Sequence, residues 1–193
     1  QSVIKVLKSD LITQGDNVTK FENKLSKTFG SKYCTAVSSG TVALHLLGLA
    51  LGWKKKDIIL TTPISFLATS NTILYSGAKP EFIDINKQNY TIDINLLEQR
   101  VKRNTKNIKA IIAVDYAGHP CDWEILRSIA DEYELQLIND NCHSIGAEYD
   151  GDLKYAVKFA DAVTHSYHPV KNITCGVRFN SSTNFFIFSS SSP

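Results

Sequence analysis

The fold is decided by the stretch Leu135-Gln136-Leu137-Ile138-Asn139-Asp140-Asn141-Cys142-His143-Ser144-Ile145-Gly146-Ala147, which begins apolar and then turns polar abruptly. The apolar part is typical of a buried β-strand, and the polar residues start at its carboxyl end. Ligands of α/β sheets bind outside the carboxyl ends of the strands, so Asp140 and His143 are expected in a site. Alternatively, these two residues only cap the turn that follows the strand.

The rest of the chain alternates between predicted helices and predicted strands. Apolar residues recur at helical spacing from Val18 to Phe29, and Gly30 ends a helix predicted at 17–30. Further helices are predicted at 41–51, near 66–76, from Asp93 onward and at 122–134, and strands at 33–37, 57–61, 80–84, 108–114, 135–139 and 160–165. This alternation predicts an α/β fold, in which helices cover both faces of a mostly parallel sheet in a three-layer αβα sandwich.

A lysine follows another predicted strand, in the run Thr164-His165-Ser166-Tyr167-His168-Pro169-Val170-Lys171-Asn172. Small and apolar residues alternate just upstream, and Pro169 ends regular strand pairing before the lysine. Ser166 and Lys171 are therefore expected on a strand-to-loop edge, where Lys171 is a candidate Schiff-base nucleophile. The alternative is a solvated surface lysine, which is the usual state of this residue type.

A candidate phosphate site lies in residues 36–47, where an apolar strand end passes through a small-residue turn into a helix beginning near Thr41. The first N–H groups of a helix have no partner within it, and with the hydroxyls of Ser39 and Thr41 they form an anion site. The alternative is a simple N-cap, in which one of these hydroxyls satisfies backbone donors and no ligand is involved.

Taken together, these segments resemble the DegT/DnrJ/EryC1/StrS aminotransferases, a family of pyridoxal-phosphate enzymes that act on nucleotide-linked keto sugars. The matching blocks, in chain order, are Leu11–Gly15, Ser39–Leu44, Thr61–Phe66, Asp140–Ala147 and Ser166–Asn172. The resemblance covers residues 1 to about 176 and is specific as a set, although a single block is only suggestive. It implies the large domain of the fold-type I pyridoxal-phosphate transferases, which are aspartate aminotransferase-like.

The resemblance also implies roles for individual residues around pyridoxal 5′-phosphate. Lys171 would form an imine with the cofactor aldehyde and then carry protons. Asp140 would pair with the pyridine nitrogen, and His143 would lie near the phenolic oxygen of the ring. Phe66 would stack on the cofactor ring, whereas the alternative for this residue is ordinary burial in a core.

The same resemblance assigns the cofactor phosphate to backbone N–H and hydroxyl groups of Gly40, Thr41 and Ser166. No metal ion is expected, because Cys34, Cys121, Cys142 and Cys175 show no zinc-ligand spacing. The expected site is thus an organic cofactor site, with a phosphate anchor at one end and an aspartate at the other.

Within the family, three segments are similar to the pseudaminic acid branch, namely Tyr116–Asp122, Cys142–Ser144 and His168–Lys171. This similarity implies transfer of an amino group from L-glutamate to C4 of a UDP-linked 4-keto-6-deoxy-2-acetamido sugar, by a cytoplasmic homodimer. Two alternatives are a dehydratase relative, in which His replaces the lysine, and a catalytically silent binding domain of the same fold. Lys171 argues against the dehydratase.

Composition fits a compact domain and excludes several classes of function. The chain has 193 residues, of which 43% are hydrophobic, and a net charge of +2, which argues against a dedicated nucleic-acid surface. The densest basic run, Lys54-Lys55-Lys56, is typical of a solvated turn. We expect no membrane segment, because no apolar run is long enough to span a bilayer.

The carboxyl end departs from the family pattern. Gly176-Val177-Arg178-Phe179 stands where the family continues Gly-Glu-Gly-Gly, and a Ser-rich stretch follows. We therefore expect a partial large domain over residues 1–176, a divergent tail at 177–193, and a truncation that removes the small carboxyl-terminal domain. In that case the chain by itself is expected to be inactive.

Overall fold

A sheet of seven strands forms the middle layer in the part of the chain that the structure describes. The computed structural model describes residues 1–12 and 15–174, and the backbone of residues 184–188. The strands are β1 Tyr33–Val37, β2 Ile58–Thr61, β3 Lys79–Phe82, β4 Ile108–Val114, β5 Gln136–Asp140, β6 Ala162–His165 and β7 Asn184–Phe188. Their order is β1-β7-β6-β5-β4-β2-β3, and β7 runs antiparallel to both of its neighbours.

Helices connect the strands and cover both faces of the sheet. They are α1 Ser2–Leu7, α2 Asp16–Phe29, α3 Gly40–Ala50, α4 Ala68–Tyr75, α5 Ile94–Arg103, α6 Trp123–Glu132 and α7 Tyr155–Phe159, with a 3-10 turn at Tyr116–Gly118. Helix α2 ends at Gly30, whose left-handed backbone (φ 77°) suits a residue without a side chain. Helices therefore begin and end where the local signals predicted, within one to two residues.

Two hydrophobic cores, one on each face, explain why the central strands are almost continuously apolar. Ile111 and Ala113 of β4 pack into one core, with residues of α2, α5, α6 and α7. Ala110 and Ile112 of the same strand pack into the other core, with α3 and α4. Successive side chains of a strand point to opposite faces, so a strand buried on both faces needs apolar residues at every position. The predicted αβα sandwich is confirmed.

Parallel pairing brings the polar strand ends to one edge of the sheet. Val114 at the end of β4 pairs with Asp140 at the end of β5, and Asp140 in turn pairs with Thr164 of β6. The residues that follow these strands therefore share the carboxyl edge, as the sequence predicted.

Several elements were not predicted from the sequence. Helices α1 and α7 have six and five residues, which is too short for an amphipathic period to show. Strand β7 lies in the Ser-rich tail and pairs with β1 and β6. The sequence predicted no strand there, because the partners that order this segment are distant in the chain.

Some sequence predictions fall on residues that are not described. They concern Thr13 and Gln14 of the amino-terminal block, Cys175 and Gly176, and residues 177–183 and 189–193 of the tail, all of which lie outside the described residues. Among the helices that are described, none is long and apolar enough to cross a membrane. The same part of the chain contains no cluster of three or more His, Cys, Asp or Glu side chains arranged to hold a metal ion.

Candidate active site

A cavity of about 330 Å³ opens at the carboxyl edge of the parallel strands. All seven residues that the sequence singled out line it: Gly40, Thr41, Phe66, Asp140, His143, Ser166 and Lys171. They come from four separate segments, which follow or lie next to strands β1, β2, β5 and β6. The fold thus brings together in one cavity what the sequence only predicted segment by segment.

One end of the cavity is formed by the amino terminus of α3. The hydroxyl of Ser39 caps this helix by accepting a hydrogen bond from the Val42 amide at 3.1 Å. The amides of Gly40 and Thr41 come before that of Ala43, which donates the first intrahelical hydrogen bond to the Ser39 carbonyl, so they have no partner within the helix and are free to bind an anion. Both the N-cap and the anion site proposed for this turn are therefore compatible with the geometry.

Gly40 allows the helix start to lie close to the strand ends. A Cβ atom at this position would lie 3.3 Å from Sγ of Cys142 and 3.8 Å from Oγ of Ser166. The Ser166 hydroxyl therefore faces the amide-bearing turn, and the two together form a concave surface lined by small donors. A larger residue at position 40 would take up part of this space.

Asp140 forms a polar wall of the cavity and is almost completely buried, at 4% exposure. Its Oδ2 accepts a hydrogen bond from the Thr69 hydroxyl at 2.7 Å, and its Oδ1 accepts one from the Cys142 amide at 3.3 Å. Ser65 Oγ lies 2.7 Å from the same Thr69 hydroxyl. Because Thr69 gives its only hydrogen to Asp140, Ser65 is the donor in that pair, and the chain runs from Ser65 through Thr69 to the carboxylate.

Lys171 and Phe66 lie on the open side of the cavity. The backbone of Lys171 is held in a turn, where its amide donates to the carbonyl of His168 at 2.8 Å. Its Nζ is 5.9 Å from the centre of the Phe66 ring, which is 65% exposed. An amine beside an exposed aromatic face can receive a flat ligand between the ring and the strand ends.

His143 lies in the turn after Asp140, where its ring packs edge to face against Tyr116 at 5.8 Å between centroids. Burial and the nearby Lys171 ammonium lower the pKa of His143, while Asp140 acts in the opposite direction. The ordinary pKa is 6.5, so the imidazole is neutral at pH 7. A neutral ring can both donate and accept a hydrogen bond.

The sequence missed Ser65, Thr69 and Cys142 as contributors to the site. Ser65 lies in the loop three residues before α4 and Thr69 is the second residue of that helix, and a serine and a threonine four residues apart occur by chance in many sequences. Burial raises the pKa of the Cys142 thiol well above its ordinary value, and the negative charge of Asp140 adds to this effect. The thiol is therefore uncharged and forms a wall of the cavity rather than a nucleophile.

Comparison with known proteins agrees with this geometry. Residues 1–177 match the model of the DegT/DnrJ/EryC1/StrS aminotransferase family. The chain is 42% identical over 173 residues to the UDP-4-amino-4,6-dideoxy-N-acetyl-beta-L-altrosamine transaminase of Campylobacter jejuni, a match that covers 90% of this chain and 45% of that protein.

Two solved structures are similar over 98% of the chain. Helicobacter pylori PseC, an aminotransferase involved in the biosynthesis of pseudaminic acid, has a TM-score of 0.86 at 33% identity, with 48% of its chain covered. Bacillus subtilis NtdA with the bound cofactor PMP has a TM-score of 0.84 at 31% identity, with 41% covered. The chain thus spans less than half the length of these relatives. From the family model and the shared fold together, the chain belongs to the DegT/DnrJ/EryC1/StrS aminotransferase family.

Proposed function

We propose that this chain carries the pyridoxal-phosphate site of an aminotransferase that acts on a nucleotide-linked keto sugar. The observation that carries the proposal is the meeting of Lys171, Asp140 and the amino terminus of α3 in one cavity. An amine, a buried carboxylate and an anion site are the three features that bind pyridoxal phosphate at its aldehyde, its ring nitrogen and its phosphate. Membership of an aminotransferase family supports the same conclusion.

The residues present fit the cofactor. The concave surface around Gly40, where a Cβ would come within 3.3 Å of Cys142, provides small donors for a phosphate. Asp140 is buried in the wall of the same cavity, and Thr69 and Cys142 donate to its two oxygens. Hydrogen bonds of this kind stabilise a carboxylate, which suits pairing with a protonated ring nitrogen.

Bound pyridoxal phosphate would supply an aldehyde carbon and a ring that accepts electrons. Lys171 would act as the nucleophile through Nζ and afterwards carry a proton on that atom. Asp140 would hold the proton on the ring nitrogen, and the neutral His143 would donate or accept a hydrogen bond beside the ring. Phe66 would cover one ring face and exclude water from it.

The phosphate would be bound by Gly40, Thr41 and Ser166 through backbone N–H and hydroxyl groups. Lys171 also separates this proposal from the dehydratase alternative, because a dehydratase relative would have His at this position. The chain retains the lysine in the cavity, within reach of the Phe66 ring.

For the substrate, we propose a UDP-linked 4-keto-6-deoxy-2-acetamido sugar that receives the amino group at C4, with L-glutamate as the donor. The support is similarity to the Campylobacter jejuni transaminase and to Helicobacter pylori PseC, at 42% and 33% identity. Of the two segments Tyr116–Asp122 and Cys142–Ser144, the second lines the cavity through Cys142 and His143, and the first adjoins it through the contact of Tyr116 with His143. We therefore propose that both segments influence specificity.

We further propose a homodimer, with residues 1–176 as the pyridoxal-phosphate-binding large domain of a cytoplasmic enzyme. Phe66, which lines the cavity, and its neighbour Leu67 support the assembly, because they are 65% and 66% exposed. Exposed apolar side chains that lie close together favour association, because a second subunit that covers them removes apolar surface from water.

The test of the proposed function is covalent capture of the cofactor. Pyridoxal phosphate added to the chain should give a yellow absorbance band, and borohydride should then fix the cofactor to Lys171. The variant Lys171→Ala should give no fixed cofactor, whereas Lys158→Ala, which removes an exposed lysine beside Phe159, should behave like the unaltered chain. Fixed cofactor mapped by peptide analysis to another lysine would refute the assignment.

Turnover separates an active enzyme from a silent binding domain. An active enzyme incubated with glutamate and the UDP-linked keto sugar would yield 2-oxoglutarate and the amino sugar in equal amounts. A chain that captures the cofactor on Lys171 but yields neither product would be the silent domain, which is the outcome expected if the small carboxyl-terminal domain is missing, and the substrate would then be tested on a full-length relative.

A further inference from the structure

Asp115 is a buried aspartate that the proposed chemistry does not use. It follows β4 directly, has no exposed surface, and receives five hydrogen bonds on its carboxylate. Oδ1 accepts from the Cys121 amide at 2.9 Å and from the Trp123 indole at 3.0 Å; Oδ2 accepts from Asn139 at 3.1 Å, Asn141 at 2.9 Å and the Tyr155 hydroxyl at 2.6 Å. Five donors saturate the two oxygens of a carboxylate, which indicates that the surrounding residues are arranged around this side chain.

Two of these donors flank Asp140. Side chains alternate along a strand, so Asn139 and Asn141 point to one face while Asp140 points to the other, toward the cavity. Both asparagines are buried, at 0% and 2% exposure, and therefore need hydrogen-bond partners on their own face. Asp115 supplies that partner to both, with the same oxygen.

The backbone of Asp115 contacts the same region. Its amide lies 3.4 Å from the carbonyl of Asp140, and its carbonyl accepts a hydrogen bond from Ser144 Oγ at 2.5 Å. The turn that carries Cys142 and His143 is thus tied to Asp115 at both of its ends. Thr69 holds the Asp140 carboxylate from the cavity side, so the aspartate is fixed from both faces of the sheet.

Burial raises the pKa of the Asp115 carboxyl, whereas the hydrogen bonds from Tyr155, Cys121 and the two asparagines act in the opposite direction. A carboxyl group that loses any of these donors would remain buried without compensation. The network is therefore cooperative, and a change at Asp115 would alter the hydrogen bonds and positions of its partners.

We infer that Asp115 is a positioning residue, which fixes the strand end at Asn139 and Asn141 so that the Asp140 carboxylate faces the ring nitrogen of a bound cofactor. The inference rests on the proposed function for the identity of that ligand. The positioning itself follows from the hydrogen bonds alone, because they hold the residues before and after Asp140 on the face opposite the cavity.

The test compares Asp115→Asn with a matched control, Asp161→Asn. The Asp161 side chain also accepts a backbone hydrogen bond on β5, from Leu137 at 2.7 Å, but it precedes β6 at the amino edge of the sheet, away from the cavity. Amide hydrogen exchange reports the local effect without any cofactor. In Asp115→Asn, protection of the Cys142 amide, which donates to Asp140, should fall about tenfold. In Asp161→Asn, the loss should be at Leu137 instead.

Cofactor affinity gives a second measurement. Asp115→Asn should bind pyridoxal phosphate about tenfold more weakly, and the pH midpoint of the bound-cofactor absorbance should move by about half a unit or more. Asp161→Asn should keep both the affinity and the pH midpoint of the unaltered chain, since Asp161 is distant from the cavity. Equal losses of affinity in the two variants, or unchanged Cys142 exchange in Asp115→Asn, would overturn the inference.

A third variant tests the inference if Asp115→Asn does not fold. If Asp115→Asn is insoluble, Tyr155→Phe removes the shortest donor to Asp115 and keeps the ring in the core, where Tyr155 is 1% exposed. It should show a smaller loss of protection at Cys142, and an unchanged Cys142 amide there would refute the positioning role. Absence of pyridoxal-phosphate binding in the unaltered chain would overturn the proposed function, whereas the exchange data would still decide the role of Asp115.

Discussion

Replacement of His165 by phenylalanine should make the chain markedly more resistant to mild acid. His165 is the last residue of β6 and is 1% exposed, with its ring packed 4.9 Å from that of Phe29. Neither ring nitrogen has a hydrogen-bond partner among the residues that the structure describes. Burial disfavours the charged form and lowers the pKa of His165 to about 4, although the nearby backbone of Asn141, which is not in hydrogen-bond geometry, acts weakly in the opposite direction.

The size of the acid effect follows from this shift. In the unfolded chain the pKa of His165 has its ordinary value of 6.5, so between pH 6.5 and about 4 the unfolded state binds more protons than the folded state. Stability therefore falls as the pH falls through that window. For a change from about pH 7.5 to about pH 5, the contribution of His165 to the loss of unfolding free energy is about 2 kcal/mol.

Urea unfolding at the two pH values measures this contribution. In His165→Phe the acid-side loss should be smaller than in the unaltered chain by about 2 kcal/mol, because phenylalanine binds no proton. His119→Phe, which changes an exposed histidine, is the control and should keep the full loss. Equal acid-side losses in His165→Phe and the unaltered chain would show that His165 is not buried and neutral as described.

Two further variants test the cavity and the packing of the helices. Asp140→Asn should still hold cofactor through the phosphate contacts at saturating pyridoxal phosphate, but it should slow amino transfer from glutamate about a hundredfold or more, because a neutral amide cannot hold the proton on the ring nitrogen. Near-normal rates in a single-turnover assay, measured on a full-length relative if this chain is inert, would remove Asp140 from the proposed chemistry. Gly48→Ala should lower the free energy of unfolding, measured by urea denaturation, by about 1–3 kcal/mol. The reason is that the new Cβ would lie 2.7 Å from Cε3 of Trp53 and in contact with Ser76. An unchanged urea midpoint would contradict the tight contact between α3 and α4.

The positions of most elements followed from local patterns. The apolar run at 108–114 is β4, and the amphipathic period ending at Gly30 is α2. Asp93 was predicted to start a helix, and its side chain does accept a hydrogen bond from the Leu96 amide at 3.1 Å. Such signals work because the hydrogen bonds and burial that they describe lie within one segment.

The candidate site was partly predictable for the same reason. Polar residues that begin at the end of an apolar strand identify the carboxyl edge of a parallel sheet, and this argument placed Asp140, His143, Ser166 and Lys171 where they meet in one cavity. The roles of these residues around a cofactor came from the resemblance to the family and stay proposals.

The sequence by itself thus determined the order of helices and strands, the buried faces and the segments that supply the site. Only the tertiary structure decided which side chains hold Asp140 in place: Thr69 lies 71 residues from it in the chain, and Asp115 lies 24 and 26 residues from its asparagine partners. Strand β7 is a similar case, since it is ordered by β1 and β6. Periodicity reports which face of its own segment a residue lies on, whereas the partner across the sheet is fixed by packing between distant segments.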